Sequence, residues 1–250
     1  MNRLYFNYRD HRKIACIDGD VAYTGGVNIA DEYANIIERF GYWKDSGVCL
    51  EGEGAWGLTA SFIRMCVNLG GVMHNEHDYY RPHTPVKSEG FCQPFTDGPQ
   101  NNPDNPAEDV FLQMISGARR FLYITTPYFI PDESLMRALC IAGDGGVDVR
   151  LMLPGKPDHW YADCVAESYF GELIKHGVKV YRYTPGFLHG KSIMVDREAA
   201  FVGSANMDYR SFELDYECGV MVYSVPMIES LLEDMDMICL LYTSPSPRDR

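Results

Sequence analysis

The sequence predicts a two-lobed mixed α/β fold, each lobe a mixed β-sheet flanked by helices, and three observations predict it. One segment occurs twice. His11-Arg12-Lys13-Ile14-Ala15-Cys16-Ile17-Asp18, then Gly25-Gly26-Val27-Asn28, is matched by His189-Gly190-Lys191-Ser192-Ile193-Met194-Val195-Asp196, then Gly203-Ser204-Ala205-Asn206, at a constant offset of 178. Helix-like and strand-like stretches alternate through the second half. A polar, proline-rich stretch separates the two repeats. With 46% hydrophobic and 23% charged residues in 250, the composition is that of a globular chain.

In the first lobe, residues 14–17 and 22–24 read as short strands around an Asp18-Gly19-Asp20 turn, 29–40 as a short helix or turn and 47–50 as a strand. Residues 55–69 read as an amphipathic helix ended by Gly70-Gly71. Residues 1–73 are thus the C-terminal part of a first lobe, and 74–106 a linker or surface loop. The second lobe, 107–238, predicts helices over 109–118, 133–143 and 164–176 and strands over 120–125, 147–153 and 178–183. A hairpin over 191–202, a strand over 219–223 and a helix over 225–238 follow, the last carrying Ile228, Leu231, Leu232 and Met235 on one face. Residues 239–250 break that pattern with a Pro/Ser run similar to a translated sequencing adapter, and are set aside as a non-native tail. The second repeat has about 80 residues of α/β pattern ahead of its histidine and the first has ten, so the first lobe is expected to be N-terminally truncated.

Eight scattered cysteines form no C-x-x-C, which excludes zinc-ribbon and thioredoxin readings and suits free thiols in a reducing compartment. With 35 acidic against 22 basic residues and a net charge of -13, no nucleic-acid partner is expected. No apolar run approaches the length that spans a bilayer. His74, His77 and His83 lie in a polar loop without fixed register, so no metal site is assigned.

The chemistry concentrates in the repeats. Imidazole acts both as nucleophile and as proton carrier near neutral pH. A lysine two residues on faces the same side of a strand, so His11 with Lys13, and His189 with Lys191, set an imidazole beside a cation. Asn28, Ser204 and Asn206 add polar groups beyond the glycine turns. Together they suit an anionic phosphodiester, the cations and amides neutralising its non-bridging oxygens. The repeat extends to Asp45-Ser46-Gly47-Val48-Cys49-Leu50 and Glu217-Cys218-Gly219-Val220-Met221-Val222 at an offset of 172. A carboxylate on Nδ1 orients an imidazole, so Asp45 is expected on His11 and Glu217 on His189. For Asp18 and Asp196, a turn-capping or lysine-pairing role stands beside direct catalysis.

The duplicated H-x-K-x4-D with G-[GS]-x-N resembles the phospholipase D superfamily and, within it, bacterial cardiolipin synthases. Supporting blocks are Asn7-Tyr8-Arg9-Asp10, Ile29-Ala30-Asp31-Glu32-Tyr33, Gly41-Tyr42-Trp43-Lys44-Asp45, Thr125-Thr126-Pro127-Tyr128-Phe129-Ile130-Pro131-Asp132-Glu133, Pro154-Gly155-Lys156-Pro157-Asp158 and Tyr209-Arg210-Ser211-Phe212-Glu213-Leu214. Gly190 departs from the Ala of many relatives and is expected to point away from the site.

The resemblance implies two phospholipase D-like lobes and transfer of a phosphatidyl group between two phosphatidylglycerol molecules. Cardiolipin and glycerol are released through a phosphohistidine, with no cofactor or metal. His11, Lys13, Asp18, His189, Lys191 and Asp196 are its catalytic set, with His11 attacking and His189 acting as acid and then base. It also implies an anionic bacterial cell membrane as partner surface, reached through N-terminal helices, with cytoplasmic-facing lobes. A hydrolytic phospholipase D, a nuclease of the same superfamily and an inactive fragment that binds anionic phospholipid are the alternatives. Tyr128 and Phe129 are candidates for acyl or glycerol contacts and Trp160 for a lipid entrance. Tyr161, Tyr169 and Phe170 read as packing, and Lys156 as headgroup-facing or solvated.

Overall fold

The two repeats fold into matching hairpins whose turns require left-handed backbone at the same place. Asp18 and Asp196 have φ of 53° and 52°, a conformation that a short polar side chain tolerates. In the computed structural model, which describes residues 8–73, 80–87, 90–99, 105–223 and 226–243, the first hairpin joins β2 (Ile14–Ile17) to β3 (Val21–Gly25). The strands before and after it are β1 (Arg9–Asp10), β4 (Tyr42–Lys44) and β5 (Gly47–Glu51). A single 3-10 turn leads into α1 (Trp56–Asn68).

The second repeat lies within a longer series: β6 (Phe91–Asp97), α2 (Pro106–Gly117), β7 (Phe121–Thr125), β8 (Phe129–Ile130), α3 (Glu133–Asp144), β9 (Asp148–Pro154), α4 (Trp160–Lys175) and β10 (Lys179–Tyr183). It continues with β11 (Gly186–Leu188), the hairpin β12 (Ser192–Val195) and β13 (Ala199–Gly203), β14 (Met207–Asp208), α5 (Tyr209–Glu213), β15 (Asp215–Tyr223), α6 (Pro226–Leu240) and β16 (Tyr242–Thr243). Side chains accept a first-turn N–H at three helix starts: Asn105 for α2, Asp132 for α3 and Asp208 for α5. Each such cap contributes about 1 kcal/mol.

The main sheet runs β1-β15-β13-β12-β7-β9-β10-β16, with β6 beside β15. Pairing is parallel among β7, β9 and β10 and antiparallel among β12, β13 and β15, so the sheet is mixed as expected. On one face Phe111, Ile115, Leu135, Leu139, Phe170 and Leu173 of α2, α3 and α4 pack on Leu122, Ile124, Val149, Leu151 and Phe201. On the other, Ile228, Leu231, Leu232 and Met235 of α6 share a core with Ala22, Val48, Leu50 and Leu58 of the first repeat. The two repeats are therefore joined by buried apolar surface.

The sheet β2-β3-β5 buries only the face turned to that shared core. Ile17, Tyr23, Val27 and Ile29 are 51, 47, 49 and 107% exposed, whereas their repeat equivalents Val195, Phe201, Ala205 and Met207 are 8, 1, 3 and 1% exposed. In the second repeat the helices α2 to α4 supply that cover. Among the described residues no strand pairs with the outer edge of β2.

Of the two readings for residues 29–40, a short helix or a turn, turns and bends are observed, because Asn35, with φ 56°, clamps the loop to Trp43 through both the N–H and the C=O of that residue. Three sequence expectations are corrected. The stretch 74–106 is more than a linker, since β6 pairs along Glu217 to Tyr223 of β15. Its Pro94 lacks an N–H and is tolerated because the strand lies at a sheet edge. The helix over 164–176 begins four residues earlier, at Trp160. The break placed at 239 falls later: Ile238 and Cys239 extend the apolar stripe of α6, and Tyr242–Thr243 pair with β10. Residues 244–250 lie outside the described residues, as do His74 and His77. Among the described residues no helix is long and apolar enough to cross a membrane.

Candidate active site

Each histidine is delivered by a strand that runs parallel to a carboxylate-bearing strand of the other repeat. β1 pairs with the start of β15, Asp10 opposite Tyr216, and the His11 N–H continues the ladder to the Tyr216 carbonyl at 2.9 Å. β11 pairs with β4, Leu188 opposite Lys44, and the His189 N–H bonds the Lys44 carbonyl at 2.6 Å. The next residues along are Glu217 and Asp45. Accordingly His11 Nδ1 lies 3.0 and 3.1 Å from the two Glu217 carboxylate oxygens, and His189 Nδ1 lies 2.7 Å from Asp45 Oδ2. The expected pairing within each repeat is therefore reversed. Proximity in the chain suggested it, but the parallel ladders cross between the repeats.

Lys13 Nζ donates to the carbonyl of His11 at 2.6 Å, and Lys191 Nζ to that of His189 at 2.5 Å. Burial holds both ammonium groups below the usual lysine range, Lys191 to about 7. Each lysine feels both Asp45 and Glu217. Two imidazoles, two lysines and two carboxylates thus share one electrostatic neighbourhood. Ser204 Oγ donates to Glu217 Oε2, fixing the carboxylate that holds His11. Asn28 Nδ2 donates to the Tyr33 hydroxyl at 2.6 Å, and Asn206 is buried with its backbone N–H on Ser211 Oγ at 3.1 Å.

The environments of the two histidines differ. His189 sits among Trp43, Tyr33 and Phe187, with ring centroids 5.2, 5.3 and 5.7 Å away. Burial there, reinforced by the Lys191 charge and opposed by Asp45, lowers its pKa to about 3. His11 keeps 27% of its side-chain surface. Near it the buried carboxyls of Asp208 and Asp215 are pushed upward, chiefly by desolvation. The aromatic surround of His189 was missed in the sequence. A signal existed: Trp43 precedes Asp45 by two, which places both on one strand face.

Asp196 takes no place at this centre. Its carboxylate accepts the N–H groups of Arg119, Arg120 and Phe121 at 2.7, 2.8 and 2.8 Å, tying the hairpin turn to the start of β7. Asp18 occupies the equivalent exposed turn, at the end of β2 remote from Lys13. Of the readings kept open, turn capping is the one observed for Asp196, and Asp18 shares its left-handed backbone. Gly190 does not face open space either, since a Cβ there would lie 3.0 Å from Ser46 Oγ at the junction of the repeats. Phe129 is fully buried in the core, so of the two suggested acyl or glycerol contacts Tyr128 remains. Phe170 is likewise buried, and Trp160 is 74% exposed. A cavity of about 760 Å³ runs from Lys13 and Asn28 along Ile14, Ala15, Tyr23 and Val27. Among the described residues no group of three or more His, Cys, Asp or Glu is arranged to hold a metal.

A duplicated α/β lobe with paired histidine, lysine and carboxylate at the junction is the architecture of phospholipase D-like proteins. The profile of the family described as "Cardiolipin synthase, PLD-like domain" matches residues 111–239, and the chain belongs to that family. It is 40% identical over 234 residues to an uncharacterized protein of Streptococcus mutans, covering 92% of this chain and 50% of the relative. It is 40% identical over 236 residues to a cardiolipin synthase of Listeria welshimeri, covering 92% and 48%. The chain thus spans about half the length of the curated relatives it matches. Among solved structures, a phosphatidylserine synthase of Haemophilus influenzae aligns with a TM-score of 0.68 at 16% identity, covering 97% of this chain and 64% of that one. Nuc of Salmonella typhimurium, a phospholipase D family member, aligns with a TM-score of 0.53 at 21% identity, covering 62% and 98%. Both likenesses concern the fold alone.

Proposed function

We propose that the protein to which this chain belongs is a cardiolipin synthase that transfers a phosphatidyl group from one phosphatidylglycerol to the hydroxyl of another, and that residues 1–73 contribute to its first lobe and the segment from β6 to β16 to its second. The crossed His11–Glu217 and His189–Asp45 pairs carry this reading. With Nδ1 held by a carboxylate, each Nε2 is free for phosphorus or for a leaving oxygen. Lys13, Lys191, Asn28, Ser204 and Asn206 form the surround of the phosphoryl group, with Ser204 acting through Glu217.

His11, the more accessible imidazole, attacks phosphorus through Nε2 and forms the N–P bond as the P–O bond to glycerol breaks. His189 gives the departing oxygen its proton. The desolvated pocket keeps His189 neutral when empty, and the anionic phosphodiester arriving beside it supplies the charge that lets the ring carry a proton. The second phosphatidylglycerol then gives its hydroxyl proton to His189 while its oxygen attacks phosphorus and releases His11. No step calls for a cofactor or metal. The names of the relatives support the lipid substrate and an anionic bacterial membrane as working surface. Eight unpaired thiols support lobes on the cytoplasmic side.

The test is incubation of the full-length protein with phosphatidylglycerol vesicles, measuring cardiolipin and free glycerol. One glycerol per cardiolipin is expected. Glycerol with phosphatidic acid and no cardiolipin would make the protein a hydrolase.

A further inference from the structure

The two carboxylates that hold the histidines differ in length, Asp45 against Glu217. The residue that follows the glycine of each turn differs with them, Gly26 against Ser204. The backbone around the two is alike. The Gly26 N–H bonds the Ser46 carbonyl at 3.0 Å, and the Ser204 N–H bonds the Cys218 carbonyl at 2.9 Å. Ser46 and Cys218 are each the residue after the carboxylate.

The carboxylates are satisfied in different ways. Asp45 Oδ2 lies on His189, and Oδ1 accepts the Ser46 N–H directly at 2.8 Å. In the second repeat the equivalent N–H, that of Cys218, bonds Ser204 Oγ at 3.0 Å, and the hydroxyl in turn donates to Glu217 Oε2. The Cys218 carbonyl is also within reach of that hydroxyl, at 3.2 Å, but the carboxylate is nearer and charged. Ser204 thus stands between a backbone donor and a carboxylate that touch directly in the other repeat.

Side-chain length accounts for the difference. Glutamate carries its carboxylate one methylene further from its own backbone, and a hydroxyl fills the gap to the next N–H. Aspartate leaves no such gap. A Cβ on residue 26 would lie 2.2 Å from Asp45 Oδ1, so direct contact requires glycine there. Ser204 and Glu217 are both buried. Without the hydroxyl the Cys218 N–H loses its acceptor and Glu217 Oε2 loses a donor in a place water does not reach.

We propose that the residue at positions 26 and 204 matches the length of the facing carboxylate, glycine to aspartate and serine to glutamate, and that Ser204 is thereby a positioning residue for His11 and no ligand of the phosphoryl group. That His11 acts in phosphatidyl transfer rests on the function proposed above, whereas the matching itself does not.

A double-mutant cycle on the full-length protein tests this, read by denaturant titration and by kcat and KM for phosphatidylglycerol. Ser204→Gly should lower kcat about ten- to hundredfold with KM unchanged, the scale of one hydrogen bond to a charged group. Adding Ser204→Gly to Glu217→Asp recreates the arrangement of the first repeat, so the double variant is expected to be more stable and faster than Glu217→Asp alone. A double variant that is no more stable, or more stable but no faster, would overturn the proposal. So would a raised KM at unchanged kcat in Ser204→Gly, which is the mark of a phosphate ligand. If Glu217→Asp does not fold, the converse comparison decides: Gly26→Ser with Asp45→Glu must be more stable and faster than Asp45→Glu alone. A wild-type protein that makes no cardiolipin would overturn the proposed reaction, and the stability cycle would still decide the matching.

Discussion

His189 is oriented by a residue 144 positions earlier in the chain: its Nδ1 lies 2.7 Å from Oδ2 of Asp45, across the junction between the repeats. His11 and Glu217, 206 positions apart, repeat the arrangement in the opposite sense. Neither repeat contains a complete histidine–carboxylate pair, so the site exists only where the two meet.

Replacing either partner of a crossed pair should slow the step its histidine performs. Glu217→Gln is expected to retard formation of the covalent intermediate through His11. Asp45→Asn is expected to move the limb of the kcat–pH profile that belongs to His189. Losses of about 10²- to 10⁴-fold are the scale for removing an imidazole-orienting carboxylate. Rapid-quench kinetics that gave the two variants each other's phenotype would point to pairing within a repeat.

His11→Ala and His189→Ala should each reduce transfer below about a hundredth of the wild-type rate. Mass spectrometry of full-length enzyme, denatured rapidly and kept at alkaline pH where the N–P bond survives, should find the phosphoryl adduct on the peptide containing His11. An adduct on His189 would exchange the two roles.

Acid should destabilise the folded protein through His189. Its pKa falls from 6.5 to about 3 on folding, so the unfolded chain binds the extra proton between those values, and stability is lost as pH drops through that window. Lys191, lowered from 10.5 to about 7, acts in the same sense between those two values. Thermal denaturation of His189→Gln should therefore show a shallower fall below pH 6.5, and Lys191→Met a shallower slope between pH 7 and 10.5. Identical slopes in variant and wild type would mean that these groups ionise normally in the fold.

Asp196→Ala should cost stability rather than chemistry. The carboxylate accepts three backbone N–H groups at the start of β7, and their loss is expected to cost about 1–3 kcal/mol. Denaturant titration measures the cost. A folded variant with transfer reduced more than about a hundredfold would return Asp196 to the reacting centre.

Gly26→Ala should disturb His189 without touching it. A Cβ at residue 26 would lie 2.2 Å from Asp45 Oδ1 and 3.0 Å from the His189 carbonyl oxygen, so the carboxylate has to move. The expected result is a folded protein with kcat reduced in the manner of Asp45→Asn. Wild-type kinetics would show that Asp45 has room to shift.

The strands and helices of the second lobe were legible because their apolar residues repeat with clean periods, and the offset of 178 exposed the first lobe. β6 was not legible. Its Pro94 and polar neighbours carry no strand signal, and only the open edge of β15 makes it one. The loop at 29–40 read as either a short helix or a turn, and the Asn35 clamp on Trp43 decides for turns. The tyrosines that flank the site, Tyr33 and Tyr128, were visible as motif members, yet no spacing rule brings residues 95 positions apart beside one carboxylate.

The sequence by itself determined the groups of the candidate site: the duplicated His, Lys and Asn, the two carboxylates and the hairpin geometry that presents them, because strand periodicity and turn chemistry are local. Only the tertiary structure decided which carboxylate lies on which histidine, that Asp196 holds a turn, and that Trp43 and Tyr33 enclose His189 while His11 stays open. Those outcomes depend on parallel ladders between β1 and β15 and between β4 and β11. A ladder between distant strands is selected by the packing of the whole core, and no stretch of sequence contains it.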